Sequence, residues 1–205
     1  MKGKFITFEG SEGSGKSTQA KLLCRYLKEQ HKKVLHIREP GGVILSEMIR
    51  KMLLDVKNKT MTKECEMLLY MAARAQLVEE IIAPALRKGI IVVCDRFLDS
   101  TVAYQGYGCG MDIALIKSVG RFVTRGINPD LTFLLDVGAK KGLQRAGKFK
   151  DRIESRSLGY HNRVRQGYLA IARREPNRVK LIETKGTKSD TQEEIRRFVS
   201  RLLNP

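Results

Sequence analysis

The stretch Phe8-Glu9-Gly10-Ser11-Glu12-Gly13-Ser14-Gly15-Lys16-Ser17-Thr18 decides the fold. Gly10 to Ser17 fits G-x-x-x-x-G-K-[ST], a pattern that carries weight only between a strand and a helix. Both neighbours are present: Lys4 to Glu9 (KFITFE) reads as a strand, and Lys16 to His31, with Leu22, Leu23, Tyr26 and Leu27 on one stripe, reads as a helix. The glycines let the backbone curl until consecutive N–H groups converge, and the helix adds the positive end of its dipole. Such a cradle holds phosphate oxygens, and Gly10, Ser11, Glu12, Gly13, Ser14, Gly15, Lys16, Ser17 and Thr18 are its candidate lining. Lys16 supplies a mobile charge for the outer phosphates, and Ser17 offers a hydroxyl to a bridging Mg2+. A glycine-rich turn without a ligand is the plainer alternative, and the flanking strand and helix weigh against it.

Outward from this loop, strand-like and helix-like segments alternate to the end of the chain. Val34 to Arg38 reads as a strand stopped by Pro40-Gly41-Gly42, followed by a helix from Ser46 to Leu54. Glu64 to Arg87 reads as one long helix, with Leu68, Leu69, Ala72, Ala75 and Val78 at helical spacing and a bend expected near Pro84. Ile90 to Asp95 (IIVVCD) is a continuous apolar run, as in a strand buried on both faces. Two shorter helices are expected at Ser100 to Tyr107 and Asp112 to Thr124, a strand at Leu131 to Asp136, a helix from Tyr160 to Arg174 and a strand at Val179 to Glu183. Ile195, Phe198, Val199, Leu202 and Leu203 mark a closing amphipathic helix. This alternation predicts an α/β fold with a parallel sheet between helices. Nothing like a linker or repeat interrupts it, so residues 1–205 are expected to form a single domain.

With 42% hydrophobic and 30% charged residues among 205, the chain has the apolar material for a packed core, which excludes a disordered protein. The longest apolar run, Ile90 to Cys94, is too short for a bilayer, and Met1-Lys2-Gly3-Lys4 leads straight into a strand, so neither membrane spanning nor secretion is expected. Cys24, Cys65, Cys94 and Cys109 form no Cys-x-x-Cys pair, which disfavours a zinc knuckle or disulfide framework and fits a reducing cytoplasm. Against 22 acidic residues stand 39 Lys and Arg, a net charge of +17. That surplus attracts polyanions, but enzymes that handle several phosphates concentrate the same residues.

A triphosphate cradle serves switches, motors, nucleic-acid translocases and small-molecule kinases alike. Asp95-Arg96 narrows the choice. At the end of the most apolar strand a carboxylate can hold a metal-bound water, and the adjoining cation can neutralise charge on a transferring group. An ATPase that activates water would more often carry a second acidic residue there, although a structural ion pair at a strand end fits the same two residues. The stretch from Arg145 to Arg156 holds five cations in twelve residues: Arg145, Lys148, Lys150, Arg152 and Arg156. It reads either as a mobile basic flap that excludes water from bound phosphates or as a solvated charged turn.

These residues together resemble the bacterial thymidylate kinases. The resemblance is carried by FEGSEGSGKST (Phe8 to Thr18), REPGG (Arg38 to Gly42), YMAARAQLVEEII (Tyr70 to Ile82), CDRFLDSTVAYQG (Cys94 to Gly106) and DRIESRSLGYHNRVRQGYL (Asp151 to Leu169), in order along nearly the whole chain. It implies a three-layer P-loop NTPase fold with a five-stranded parallel sheet in the order 2-3-1-4-5, a small lid at about residues 145–156, and transfer of the γ-phosphoryl of Mg-ATP to dTMP in the synthesis of dTTP. It further implies that Glu12 reads the acceptor's 3′-hydroxyl, that Glu39 and Pro40 wall the acceptor pocket, and that Arg50 and Arg96 hold the dTMP phosphate. Tyr70 takes the place of a ring that stacks on thymine, where many relatives carry Phe, and Arg74 would reach a thymine carbonyl. Ser100, Thr101, Tyr104 and Gln105 complete the nucleoside pocket, with Tyr104 crowding the 2′ position. Lys16, Asp95, Arg96 and Arg152 are the expected catalytic residues, and Ser17 and Asp95 the expected metal ligands. Arg152 is placed at the γ-phosphate because the P-loop itself carries no Arg, with Arg145 and Lys148 as weaker candidates.

The same resemblance implies a homodimer paired through the helices around Glu64 to Arg87 and Asp112 to Thr124, with no membrane and no specific nucleic acid as partner. Two rivals remain at the level of sequence. One is a nucleoside monophosphate kinase for dUMP or a purine nucleotide; the other is a nucleic-acid-binding ATPase that would use the +17 charge.

Overall fold

Every strand of the sheet ends on a charged residue. β1 (Phe5–Glu9), β2 (Val34–Arg38), β3 (Ile91–Asp95), β4 (Leu131–Asp136) and β5 (Val179–Glu183) run parallel in the order β2-β3-β1-β4-β5, the order expected. Glu9, Arg38, Asp95, Asp136 and Glu183 therefore stand along one edge, the carboxyl edge where open α/β sheets bind ligands. The structure is a computed structural model that describes residues 3–147, 151–184 and 186–204.

The central strand shows why the sheet is buried on both sides. Ile6 and Phe8 face a core with Leu23 and Leu27 of α1 (Lys16–Glu29) and Ile195 and Val199 of α9 (Lys188–Leu203). Phe5, one step out of phase, faces the opposite core with Leu77, Leu86 and Phe97. Strand alternation at period two thus feeds two separate cores. Each fully buried Leu or Phe contributes roughly 1.5–3 kcal/mol, so the two layers together hold the P-loop rigidly at the edge. The second face is completed by α3 (Lys63–Leu77), α4 (Ala83–Arg87) and α8 (Leu158–Arg174), and α2 (Ile44–Leu54) packs on α3. Among the described residues, no helix is long and apolar enough to cross a membrane.

Three helical expectations are corrected. The long helix expected over Glu64 to Arg87 is α3, a π-helical stretch at Val78–Ile82, and α4, with Pro84 in the first turn of the last piece. Pro84 has no N–H, and its ring crowds the carbonyl four residues back, so the ladder widens just before it. The helix expected at Ser100 to Tyr107 is instead a short α5 (Leu98–Thr101) continuing into a π-helical stretch at Val102–Gly108. There Gly108 lies so close to Tyr160 and Val164 of α8 that a side chain would collide with them.

The third correction is α7 (Ala139–Ala146), which periodicity did not mark, because AKKGLQRA has one large apolar residue and a glycine in mid-helix. Elsewhere the starts move to the capping residues. Thr62 accepts from Cys65 N to open α3, Ser157 accepts from Tyr160 N to open α8, and Asp112 caps α6 (Ile113–Val123) instead of beginning it.

Candidate functional site

Unlike those helices, α1 opens without a side-chain cap. Its N-cap is Gly15 at φ 94°, a left-handed conformation that glycine adopts without strain, and its first turn carries no acidic residue. The first amides are thus left for an anion. Glu12, Gly13, Ser14, Gly15, Lys16, Ser17, Thr18, Asp95 and Arg96 line a hollow of about 850 Å³ in front of them. Gly10 lies behind it, with its carbonyl accepting from Arg96 Nη1 at 3.2 Å, and Ser11's carbonyl accepts from Lys16 Nζ at 2.8 Å. Burial, with Arg96 nearby, pulls the Lys16 ammonium down to about 8 against the opposing pull of the Glu12, Asp95 and Glu9 carboxylates.

The Ser17 hydroxyl donates to Asp95 Oδ2 across this hollow. A hydroxyl and a carboxylate side by side are hard oxygen donors that fit Mg2+. Among the described residues no group of three or more His, Cys, Asp or Glu could hold a metal ion, so an ion here would take its remaining ligands from phosphate oxygens and water, as Mg2+ usually does.

Arg96 follows Asp95 at φ 72°, an uncommon conformation for a residue with a side chain. Its neighbours hold it there. Arg96 N donates to Phe8 O at 2.9 Å, and Phe97 N donates to Glu9 Oε1 at 2.7 Å. The turn aims the guanidinium back at the P-loop, where Nη2 pairs with Glu12 Oε1 at 2.7 Å. Tyr104 donates to the same oxygen at 2.7 Å. Burial would raise the Glu12 carboxyl, but Arg96 and Lys16 outweigh it and bring it down to about 2.

A second cleft, of about 640 Å³, lies beside the first and is lined by every substrate residue expected from the resemblance: Glu12, Glu39, Pro40, Arg50, Tyr70, Arg74, Arg96, Ser100, Thr101, Tyr104 and Gln105. Tyr70 and Arg74 face it from α3, four residues and so one helical turn apart. Arg74, 2% exposed, is locked on three sides: Nε donates to Glu39 Oε2 at 2.8 Å, Nη1 to Thr101 Oγ1 at 3.1 Å and Nη2 to Phe97 O at 3.0 Å. Burial, only partly offset by Arg74, pushes the Glu39 carboxyl up to about 6. Arg50 donates to Pro40 O at 3.0 Å. Glu12, Glu39, Arg50 and Arg96 line both clefts, so the two open into each other across two carboxylates and two guanidiniums.

Arg152 is placed differently from the expectation. Its Nη2 lies 2.5 Å from Glu66 Oε2 and its Nε donates to Leu53 O at 2.8 Å, so it faces α2 and α3 and does not line the phosphate hollow. The reason is the buried Glu66 carboxylate, which holds both Arg152 and Arg156. From the basic stretch it is Arg145 that lines the phosphate hollow. Two glycines bring it there. A Cβ on Gly13 would meet the Gly142 carbonyl, and one on Gly142 would meet the Glu12 carbonyl, so α7 and the P-loop touch backbone to backbone. Lys148 and Lys150 lie outside the described residues. Asp151 to Arg156 pack at the mouth of the second cleft, with Ile153 buried in the core and Asp151, Ile153 and Glu154 among its lining.

Sequence reasoning missed Glu9, Glu66 and Tyr168. Glu9 Oε2 accepts from Ser100 Oγ at 2.6 Å and from Tyr168 OH at 2.9 Å, while Arg96 Nη1 donates to Tyr168 OH at 3.1 Å and to Ser100 Oγ at 3.2 Å. Burial, reinforced by Asp99, raises Glu9 to about 7. A carboxylate closing the apolar strand FITFE was a visible signal for Glu9, and an acidic residue one turn before Tyr70 for Glu66. For Tyr168, 72 residues from Arg96, no local signal existed.

With this geometry in place, comparison with known proteins is informative. Residues 8–195 match the family model for thymidylate kinase. A thymidylate kinase of Geotalea daltonii is 47% identical over 211 residues, covering 98% of this chain and 99% of that protein. One of Symbiobacterium thermophilum is 44% identical over 200 residues, covering 97% and 94%. The crystal structure of thymidylate kinase from Ehrlichia chaffeensis superposes with a TM-score of 0.82 at 35% identity, covering 97% of this chain and all of that one.

Proposed function

The chain belongs to the thymidylate kinase family and phosphorylates dTMP, with ATP implied as co-substrate, and from that premise we propose how its residues carry out the transfer. The observation that carries the reading is the shared wall between the two clefts. ATP would occupy the P-loop hollow and dTMP the adjoining cleft, with the acceptor phosphate between Arg50 and Arg96 and the γ-phosphate before Lys16. The product, dTDP, is one phosphoryl short of dTTP.

The acceptor phosphate is already an anion, so no strong base is required. The chemical difficulty is the repulsion between two anionic groups that must approach in line, and fixed cations in a site shielded from water lower it. Lys16 and Arg145 would draw off charge on the donor side, Arg96 at the point of transfer and Arg50 on the acceptor side. Glu12, held ionised by Arg96, orients that guanidinium and offers an acceptor to the sugar 3′-hydroxyl. Ser17 and Asp95 would hold Mg2+, which when bound shields the β- and γ-phosphate oxygens. Tyr70 would stack on the base, and the Arg74 guanidinium, fixed by Glu39, Thr101 and Phe97, would donate to a base carbonyl. Tyr104, donating to Glu12, would crowd a ribose 2′-hydroxyl.

The reading extends to a homodimer. Ile44, Leu45, Met48 and Met52 form an exposed apolar stripe on α2, which packs on α3; α3 in turn packs on α6, where Leu115 and Phe122 are exposed. An apolar face spread over three adjoining helices suits a second copy of the chain. Met48→Glu should convert the dimer to a monomer in size-exclusion chromatography with light scattering; a wild-type chain that runs as a monomer at micromolar concentration rejects the pairing.

The test of the transfer is direct. Incubated with γ-labelled ATP, Mg2+ and dTMP but no nucleic acid, the enzyme should release labelled dTDP and ADP one for one, and chelation should stop it. Label released as free phosphate, or hydrolysis that depends on added DNA, would overturn the reading. Purine monophosphates accepted better than dTMP would overturn the base assignment.

A further inference from the structure

Glu66 is a buried charge that the transfer reaction leaves unexplained. It lies in α3 with 0% exposure, one helical turn before Tyr70 and two before Arg74. Its Oε1 accepts from Gln105 Nε2 at 2.8 Å. Its Oε2 accepts from Arg156 Nη2 at 2.7 Å and lies 2.5 Å from Arg152 Nη2. A carboxylate between two guanidiniums can only accept hydrogen bonds. The end of Gln105 that meets it must therefore be the NH2 group, and the amide oxygen must point away. Among the described residues no hydrogen bond is donated to that oxygen, although Gln105 lines the acceptor cleft beside Tyr70 and Arg74.

We propose that Glu66 is a positioning residue for base selection, which fixes the Gln105 amide so that the cleft presents its oxygen, an acceptor, alongside the Arg74 guanidinium, a donor. The complement is a base with an N–H next to a carbonyl, as at N3 and C4 of thymine. A 4-aminopyrimidine carries the opposite pair and meets acceptor with acceptor and donor with donor. An amide freed from Glu66 can turn half a revolution about its last torsion and present NH2 instead, which removes the discrimination. The same carboxylate holds Arg152 and Arg156, so the segment that contributes Asp151, Ile153 and Glu154 to the cleft is seated on the group that orients the base reader. The inference rests on the assignment of this cleft to dTMP.

The test compares kcat/KM for dTMP with that for 5-methyl-dCMP, which keeps the methyl group and reverses the hydrogen-bonding edge. Glu66→Gln should lower the selectivity ratio about tenfold or more, and Gln105→Met should lower it as well. In the Gln105→Met background, Glu66→Gln should change the ratio no further, because its effect runs through that amide. Glu66→Asp keeps the charge that both arginines need while withdrawing it from Gln105, and should lower the ratio in the same direction even if Glu66→Gln does not fold. A ratio unchanged by Glu66→Asp and Glu66→Gln but lowered by Gln105→Met overturns the positioning role and leaves the cleft assignment standing. Equal effects of Glu66→Gln in both backgrounds also overturn it, since a merely structural role would act that way. If Gln105→Met leaves the ratio intact and Tyr70→Ala leaves the KM for dTMP intact, the cleft assignment itself fails, and the inference with it.

Discussion

Replacing Arg74 by Met isolates the most deeply buried ion pair of the site. Arg74 and Glu39 have side chains 2% and 4% exposed and meet at 2.8 Å. Met keeps much of the Arg stem but leaves the Glu39 carboxylate without its counter-charge and removes the donors to Thr101 Oγ1 and Phe97 O. Breaking a buried pair from one side costs about 3–5 kcal/mol. For a domain of this size each kcal/mol moves the melting temperature by about 2–4 °C, so Arg74→Met should melt roughly 6–20 °C lower.

The loss should depend on pH with a definite sign. In the wild-type fold Glu39 is raised to about 6, above its ordinary value near 4.5, so folding favours its protonated form, and that contribution fades as pH rises through 6. Without Arg74 the carboxyl rises further, and the deficit of the variant should shrink as pH falls from about 7 toward 5. Arg74→Met/Glu39→Gln, which removes the stranded charge, should regain most of the stability while the KM for dTMP stays high, because the base has lost its donor. Calorimetry across pH and steady-state kinetics at 25 °C measure both. A melting temperature within 2 °C of wild type, or a double variant no more stable than the single, would refute the ion-pair argument.

Three further outcomes are expected. Lys16→Ala should reduce turnover about a thousandfold or more, as loss of a cation at a transferring phosphoryl group does, with little loss of melting temperature; normal turnover would remove it from the site. Because the free enzyme's Lys16 sits at about 8, kcat/KM for ATP should decline as pH rises through that value, while kcat at saturating ATP should hold to higher pH; a flat kcat/KM between pH 7 and 9.5 contradicts this. Arg145→Gln should lower kcat with little change in melting temperature, whereas Arg152→Gln should lower the melting temperature and raise the KM for dTMP, since only Arg145 lines the phosphate hollow and Arg152 pairs with Glu66; the reverse assignment of the two effects would restore Arg152 to the γ-phosphate.

The sequence by itself determined whatever neighbouring residues encode. Short apolar runs between helical segments marked all five strands, of which the inner β1, β3 and β4 are buried on both faces while the edge strands β2 and β5 are partly exposed, and the Gly10–Ser17 loop marked the phosphate cradle, because a backbone anion nest needs its glycines, lysine and hydroxyl within eight consecutive positions. Tyr70 and Arg74 were singled out by the resemblance, and their spacing of four then placed them on one helical face. Tertiary structure decided what depends on distant parts of the chain. Arg152, expected at the γ-phosphate, here pairs with the buried carboxylate of Glu66, 86 positions away in sequence. Arg145 reached the cradle because Gly13 and Gly142 allow two backbones to touch. Glu9, Ser100 and Tyr168 meet around Arg96 from β1, α5 and α8. A cation's partner is chosen by which carboxylate the fold buries beside it, and burial is a property of the packed chain that no local pattern carries.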